Sequence, residues 1–185
     1  MNRARLLGLV AALLVFGLGA RAWAFELTSA DVPANGTVPM KNVFKGFGCT
    51  GENVSPDLSW KDAPAGTKSF ALTVYDPDAP TGSGWWHWVV FNIPASATTI
   101  PEGASAKKRG MPKGSVQSVT DFGKPGWGGP CPPQGDSPHH YIFTLYALKT
   151  DKLGDANRKS SGGYVGFNIH FNTIDKASFT ATFGR

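Results

Sequence analysis

From Ala71 to Pro94 the chain reads ALTVYDPDAPTGSGWWHWVVFNIP, and this stretch leaves few ways to fold. With Phe70 it opens on an alternation, Phe70, Leu72 and Val74 against Ala71, Thr73 and Tyr75, the period of a strand. The pattern breaks at Asp76-Pro77-Asp78-Ala79-Pro80, where two prolines lock φ and remove two backbone donors. Residues that precede a proline are pushed out of the helical region, so Asp76 and Ala79 are expected to be extended. Gly82 and Gly84 close the loop, and Trp86 to Ile93 is rich in the β-branched and aromatic residues that favour a second strand. The unit is strand, stiff acidic loop, strand, with His87 just inside the second strand.

The rest of the composition agrees with a β fold. The 185 residues suit one domain with a sizeable core. Only 17% are charged, while there are 23 glycines and 14 prolines and no internal repeat, which excludes both disorder and a helical bundle.

The first 24 residues read as a leader. Arg3 and Arg5 precede an apolar run from Leu6 to Ala20, and Ala22-Trp23-Ala24 has the small-x-small form of a cleavage site. The run is shorter than the ~20 residues a membrane span needs. Residues 1–24 are therefore expected to be a signal peptide, and residues 25–185 a single exported domain, periplasmic or secreted, without stable membrane insertion. The formal net charge of +5, less Arg3, Arg5 and Arg21 of the leader, leaves +2. Basic residues cluster only at Lys107-Lys108-Arg109, so no nucleic-acid partner is expected. Cys49 and Cys131 allow one intramolecular pairing, and in an oxidising compartment a disulfide between them is expected.

Further strands are expected over Phe25 to Val32, up to Trp60, within Ser115 to Phe122, over His139 to Leu148 and over Ala177 to Phe183. Gly123 to Pro138 is a Gly/Pro-rich loop containing Trp127 and Cys131, and ordered loops of that length are usually functional. Gly163 to Phe171 is ambiguous: Val165, Phe167, Ile169 and Phe171 alternate as a strand would, yet the length also permits a helix.

The polar residues beside the two stiff loops are Asp76, Asp78, His87, His139, His140 and Tyr141. Each alone has an ordinary explanation, since aspartates near prolines form turns and a histidine between tryptophans can sit in a core. His139 and His140 must face opposite sides of a strand. Together, two strands that each carry a histidine beside a rigid loop would line a cleft if they were neighbours. A metal site needs three or four ligands, and no HxH or HxxxH spacing supplies them, so no metal is expected. A hydrolase needs a nucleophile beside a base, and no Gly-x-Ser-x-Gly elbow is present. A pocket for a small ionic ligand fits better: histidines and backbone amides donate to phosphate-like oxygens, an aspartate accepts from an ammonium or hydroxyl, and aromatics and prolines form the walls.

Asp76-Pro77-Asp78-Ala79-Pro80, Trp86-His87-Trp88-Val89-Val90-Phe91-Asn92, Gly129-Pro130-Cys131-Pro132-Pro133-Gln134-Gly135 and His139-His140-Tyr141, in that order, resemble the phosphatidylethanolamine-binding protein family. The closer resemblance is to its bacterial Raf-kinase-inhibitor-like branch, including exported members. It runs through Asn53-Val54-Ser55-Pro56, Thr120-Asp121-Phe122-Gly123 and Gly166-Phe167-Asn168 and so covers the whole mature chain. The resemblance implies a mainly β fold, a large central antiparallel sheet packed on a smaller one, with a short helix near the C-terminus, which assigns Gly163 to Phe171 to a helix. It also implies a small anion pocket at one end of the sheet. Asp76, Asp78, His87, His139 and Tyr141 match its polar residues, Asp76 being the one of the two aspartates that lines the pocket, and Pro80, Pro132 and Pro133 match its apolar rim. The implied function is binding of a phosphate-like or phosphoethanolamine-like group, with no cofactor and no enzymatic activity. The alternative it implies is inhibition of a protease or signalling protein partner, ahead of a hydrolase. Expressed with its leader in a bacterium that exports it, the protein is expected to begin at Phe25 on N-terminal sequencing; an intact Met1 would exclude cleavage.

Overall fold

The structure, a computed structural model, describes residues 24–107 and 110–185, so almost all of the expected leader, and Lys108 and Arg109 of the basic cluster, lie outside the described residues. The strands are β1 (Glu26–Thr28), β2 (Lys45–Gly46), β3 (Cys49–Thr50), β4 (Leu58–Lys61), β5 (Ser69–Asp76), β6 (Trp85–Pro94), β7 (Thr99–Ile100), β8 (Val116–Gln117), β9 (His139–Leu148) and β10 (Thr173–Phe183), with helix α1 (Gly162–Asn172) before the last. Strands β10-β9-β5-β6-β8 form the large sheet, β1-β4-β7 a smaller one and β2-β3 a short hairpin, all antiparallel. A central antiparallel sheet with a smaller sheet and a C-terminal helix is the architecture expected.

β5 is paired on both edges, to β6 and to β9. Its alternation therefore feeds two cores rather than a core and solvent. Phe70, Leu72 and Val74 face the small sheet, packing in a cluster with Leu27, Leu58, Trp60, Phe143 and Leu145. Ala71 faces the other way, into a cluster with Val89, Phe91, Val165 and Ile169 under α1. The sheet is thus sandwiched between the smaller sheet and the helix.

The ambiguous segment is a helix, and its residues explain the ambiguity. Val165 and Ile169, four apart, are buried on the sheet, while Phe167 and Phe171, also four apart, stay exposed and pack on each other. Two interleaved i,i+4 stripes reproduce a period of two. Ser161 caps the helix, its Oγ accepting from Tyr164 N at 3.3 Å. Gly162 is required, because a Cβ there would stand 2.5 Å from the Trp86 ring.

Two boundaries differ from expectation. The first strand ends at Thr28 because the Asp57 carboxylate accepts from the backbone N–H of Ala30 and Asp31, drawing the chain into a turn. The last strand starts at Thr173, directly after the helix, rather than near Ala177.

The Gly123–Pro138 loop is ordered by contact rather than by regular structure. Gly129 packs backbone to backbone, since a Cβ would stand 2.1 Å from Asn42 O. Asn53 Oδ1 accepts from Gly129 N at 2.8 Å, and Trp127 Nε1 donates to Asn42 O at 3.1 Å. Cys49 of β3 is joined to Cys131 of the loop by the expected disulfide, across 82 positions of sequence. Replacing both cysteines by alanine is expected to lower unfolding free energy by roughly 2–5 kcal/mol, given the length of chain closed. Urea unfolding of the double variant beside the oxidised protein measures it.

Candidate functional site

The large sheet ends, on one side, at Asp76 of β5, His87 of β6 and His139 of β9. All three are buried, at 3%, 3% and 4% exposure. His87 reaches this face through a bulge. Val74 pairs with Trp88 and Tyr75 with Trp86, so His87 is the extra residue in β6. A bulge re-aims side chains beyond strict alternation. Trp86 accordingly stays on the helix side, tilted against Tyr75 and close to Gly162, while His87 and Trp88 both lie on the other.

Around these residues is a cavity of about 220 Å³, lined by Asp76, Ala79, Pro80, Thr81, Trp85 and His87 from the first motif and by Cys131, Pro132, Pro133, His139 and Tyr141 from the second, with Phe47 and Phe122 completing the wall. Seven of the eight residues singled out in the sequence therefore share one cavity: Asp76, Pro80, His87, Pro132, Pro133, His139 and Tyr141. Asp78 does not line it. Its Oδ2 accepts from the backbone N–H of His140 at 2.7 Å and meets His140 Nδ1 at 2.8 Å, outside the cavity. Strand alternation is the reason: His140 faces away from His139 and takes Asp78 with it.

The two cavity histidines have opposite electrostatics. His139 Nδ1 donates to Asp76 Oδ2 at 2.8 Å, and its Nε2 lies 3.4 Å from Asp136 Oδ2. Burial works against a charge on this ring, but the hydrogen bond and charge of Asp76, helped by Asp136 and Asp78, hold its pKa above the ordinary imidazole value. His87 has no such neighbour in contact. Its Nδ1 donates to the Gly128 carbonyl at 2.6 Å, and its ring lies edge-on to Tyr141 and Phe122. Desolvation dominates and lowers its pKa to about 4, despite the Gly128 and Gly129 backbone and the charges of Asp76 and Asp121. At neutral pH His87 is uncharged, with the proton on Nδ1.

Asp76 also keeps the turn role available to any aspartate before a proline, its Oδ1 accepting from Asp78 N at 2.8 Å. Among the described residues, Tyr141 Oη and Trp85 Nε1 are buried and meet no hydrogen-bond partner. Burial, with the charges of Asp76 and Asp78, pushes the Tyr141 phenol well above its ordinary pKa, so it remains a donor. Among the described residues, no group of three or more His, Cys, Asp or Glu side chains is placed to hold a metal ion.

The contributors that escaped sequence reasoning include Phe47, Trp85, Phe122 and Asp136. Phe122 packs against Phe44, Phe47, Trp85 and His87, making one aromatic wall. It belongs to the Thr120-Asp121-Phe122-Gly123 motif, which marked the family resemblance without pointing to the cavity. Phe47 is 70% exposed at the mouth and comes from the hairpin held to Cys131. Arg185 braces the same rim, its Nε donating to Pro132 O at 2.6 Å and an Nη to Phe47 O at 3.3 Å.

Because the unfolded chain carries histidines of ordinary pKa near 6.5, the two rings affect stability with opposite sign. The depressed His87 withdraws stability as pH falls from 6.5 towards 4, on the order of 3 kcal/mol in all. The raised His139 contributes fully below 6.5 and loses that contribution as pH rises through its folded pKa. In an NMR titration from pH 9 to pH 5, His139 is expected to protonate with a midpoint above 6.5 while His87 does not move; titration of His87 near 6.5 would refute the assignment.

Comparison with known proteins agrees with this architecture. A family model described as phosphatidylethanolamine-binding protein matches residues 28–184. The UPF0098 protein YbcL of Escherichia coli is 50% identical over 165 residues, covering 89% of this chain and 90% of that protein. YbhB of the same organism is 50% identical over 158 residues, covering 85% and 99%. The crystal structure of E. coli YbcL, described as a member of the mammalian PEBP family, superposes with a TM-score of 0.84 at 49% identity, covering 87% of this chain and 98% of that one.

Proposed function

The chain belongs to the phosphatidylethanolamine-binding protein family, in its YbcL-like bacterial branch, and from that membership and the cavity we propose that it is an exported, non-enzymatic binding protein for a small phosphate-like or phosphoethanolamine-like group. The observation that carries the reading is the pair of partnerless buried donors, Tyr141 Oη and Trp85 Nε1, on two residues that line the cavity. A buried donor without an acceptor costs about 1–3 kcal/mol. An oxygen-rich ligand seated deeply enough in the cavity to reach these two atoms would remove that cost. His139, favoured as a cation by its carboxylate neighbours, adds attraction for an anion, and Pro80, Pro132, Pro133 and the aromatic wall supply the apolar enclosure expected of a small-molecule site.

Binding is favoured over catalysis by where the reactive atoms are. The sulfur of Cys131 is tied into the disulfide, and the Thr81 hydroxyl gives its proton to Gly84 O, so neither donates to a histidine base. A protein partner gathered at the same mouth is a second reading, favoured by the exposed Phe47 ring.

Titration with phosphoethanolamine, followed by the histidine NMR signals, tests the proposal: His87 and His139 are expected to shift together, and no shift of either at millimolar ligand would overturn it. Tyr141→Phe removes one orphan donor, so it is expected to weaken binding roughly fivefold to tenfold, about 1 kcal/mol, with no loss of thermal stability. Unchanged affinity would remove Tyr141 from the site.

A further inference from the structure

The cavity has acceptors as well as donors. Among the described residues that line it there is no lysine or arginine. His87 donates from Nδ1 to a carbonyl, which can only accept, and a neutral imidazole so committed offers a lone pair at Nε2. Asp76 adds a buried carboxylate, each oxygen of which can accept more than one hydrogen bond. The charged and titratable groups around His87 are Asp76 on β5, His139 and Tyr141 on β9, and Asp121 in the loop before Phe122. Of these only His139 can be cationic, and it is already bonded to Asp76 and close to Asp136.

A fully deprotonated phosphate brings only acceptors to this set. It would satisfy Tyr141 and Trp85 but set bare anionic oxygens against the Asp76 carboxylate and the His87 lone pair, an arrangement that costs both desolvation and repulsion. A phosphate that keeps one proton brings both kinds of group. Its P–OH donates to an acceptor of the cavity, and its remaining oxygens accept from Tyr141 Oη, Trp85 Nε1 and His139.

We infer that the cavity selects a phosphomonoester, or inorganic phosphate, in its singly protonated form, with the P–OH donated to Asp76 or to His87 Nε2, and that it rejects phosphodiesters and sulfate. The inference rests on the reading of the cavity as a phosphate site and narrows it. A diester headgroup, as in an intact phospholipid, is a monoanion of similar size, but two of its oxygens are esterified and its one acidic position is ionised, so it has no P–OH to donate. Sulfate has the shape of phosphate and no proton near neutral pH. Sites built around a hydrogen bond to a ligand hydroxyl discriminate strongly against analogues that lack it, because the buried protein group is left unpaired.

Calorimetric titration of the mature protein with methyl phosphate, dimethyl phosphate and sulfate at pH 5.5 and pH 8 tests this. At pH 5.5 methyl phosphate is expected to bind at least roughly tenfold tighter than either of the others. Its affinity is expected to fall roughly tenfold per pH unit above the second pKa of a monoester, about 6. Loss of the His139 proton contributes to that fall, and dimethyl phosphate, which has no proton that titrates between these pH values, reads that contribution by itself. Asp76→Asn tests the acceptor, since its amide can donate where the carboxylate accepts, and sulfate affinity at pH 5.5 is expected to rise about tenfold or more. Equal binding of all three ligands to the unaltered protein would overturn the inference and leave the phosphate site standing. Sulfate affinity unchanged or lowered in Asp76→Asn would overturn the role of Asp76 as proton acceptor. Absence of binding by methyl phosphate at both pH values would overturn this inference and the proposed function together.

Discussion

Everything at the candidate site hangs on the pairing of β5 along both of its edges. Ser69 to Tyr75 is paired with β6 on one side and β9 on the other, and the residue that ends the strand is held by Trp85 of β6 through the ladder and by His139 of β9 through its side chain. That residue is Asp76. Its neighbours across the two ladders bring His87 and His139 to the same end of the sheet, one by a bulge and one by simple alternation. The proline that follows ends the strand and turns the chain, and Asp76 satisfies that turn with one oxygen while holding His139 with the other. A single carboxylate thus joins the sheet, the loop and the second histidine.

The rim has a different origin. The β2–β3 hairpin and the Pro130–Pro133 segment have little regular structure, and neither would be stable alone. They are held by the Cys49–Cys131 bridge, by close backbone packing at Gly129, and by Arg185 reaching Pro132 and Phe47. This arrangement places an exposed aromatic, Phe47, over a cavity whose floor is rigid sheet. Rigid floor and tethered rim are what a preorganised small-ligand site requires.

The contrast between the two imidazoles shows how position sets chemistry. Both are buried, both lie at strand ends, and both line the same space. His139 has carboxylates against both ring nitrogens or near them and is favoured as a cation. His87 has a carbonyl on one nitrogen and aromatic edges around it, so burial keeps it neutral. The cavity consequently carries donors and acceptors side by side instead of a concentrated positive charge.

Much of this was legible in the sequence. The alternation of Phe70 to Tyr75, the two prolines after Asp76 and the aromatic run around His87 determine strand, loop and strand by local sterics alone, and the paired motifs single out seven residues that share the cavity. What local pattern could not decide was anything set by a partner distant in sequence. Alternation assigns His87 a face that the bulge reverses, because the register with β5 is a property of two strands. The spacing of Val165 to Phe171 fits strand and helix equally, and burial of Val165 and Ile169 against Ala71, Val89 and Phe91 selects the helix. The motif match already sets Asp76 apart from Asp78 as the aspartate that lines the pocket, and what holds Asp78 elsewhere, its pairing with His140, is visible only in the structure. Phe47, Trp85, Phe122 and Asp136 carry no motif of their own for this role. They enter the site only because hydrogen bonds, a disulfide and aromatic packing bring segments tens of residues apart against one sheet end.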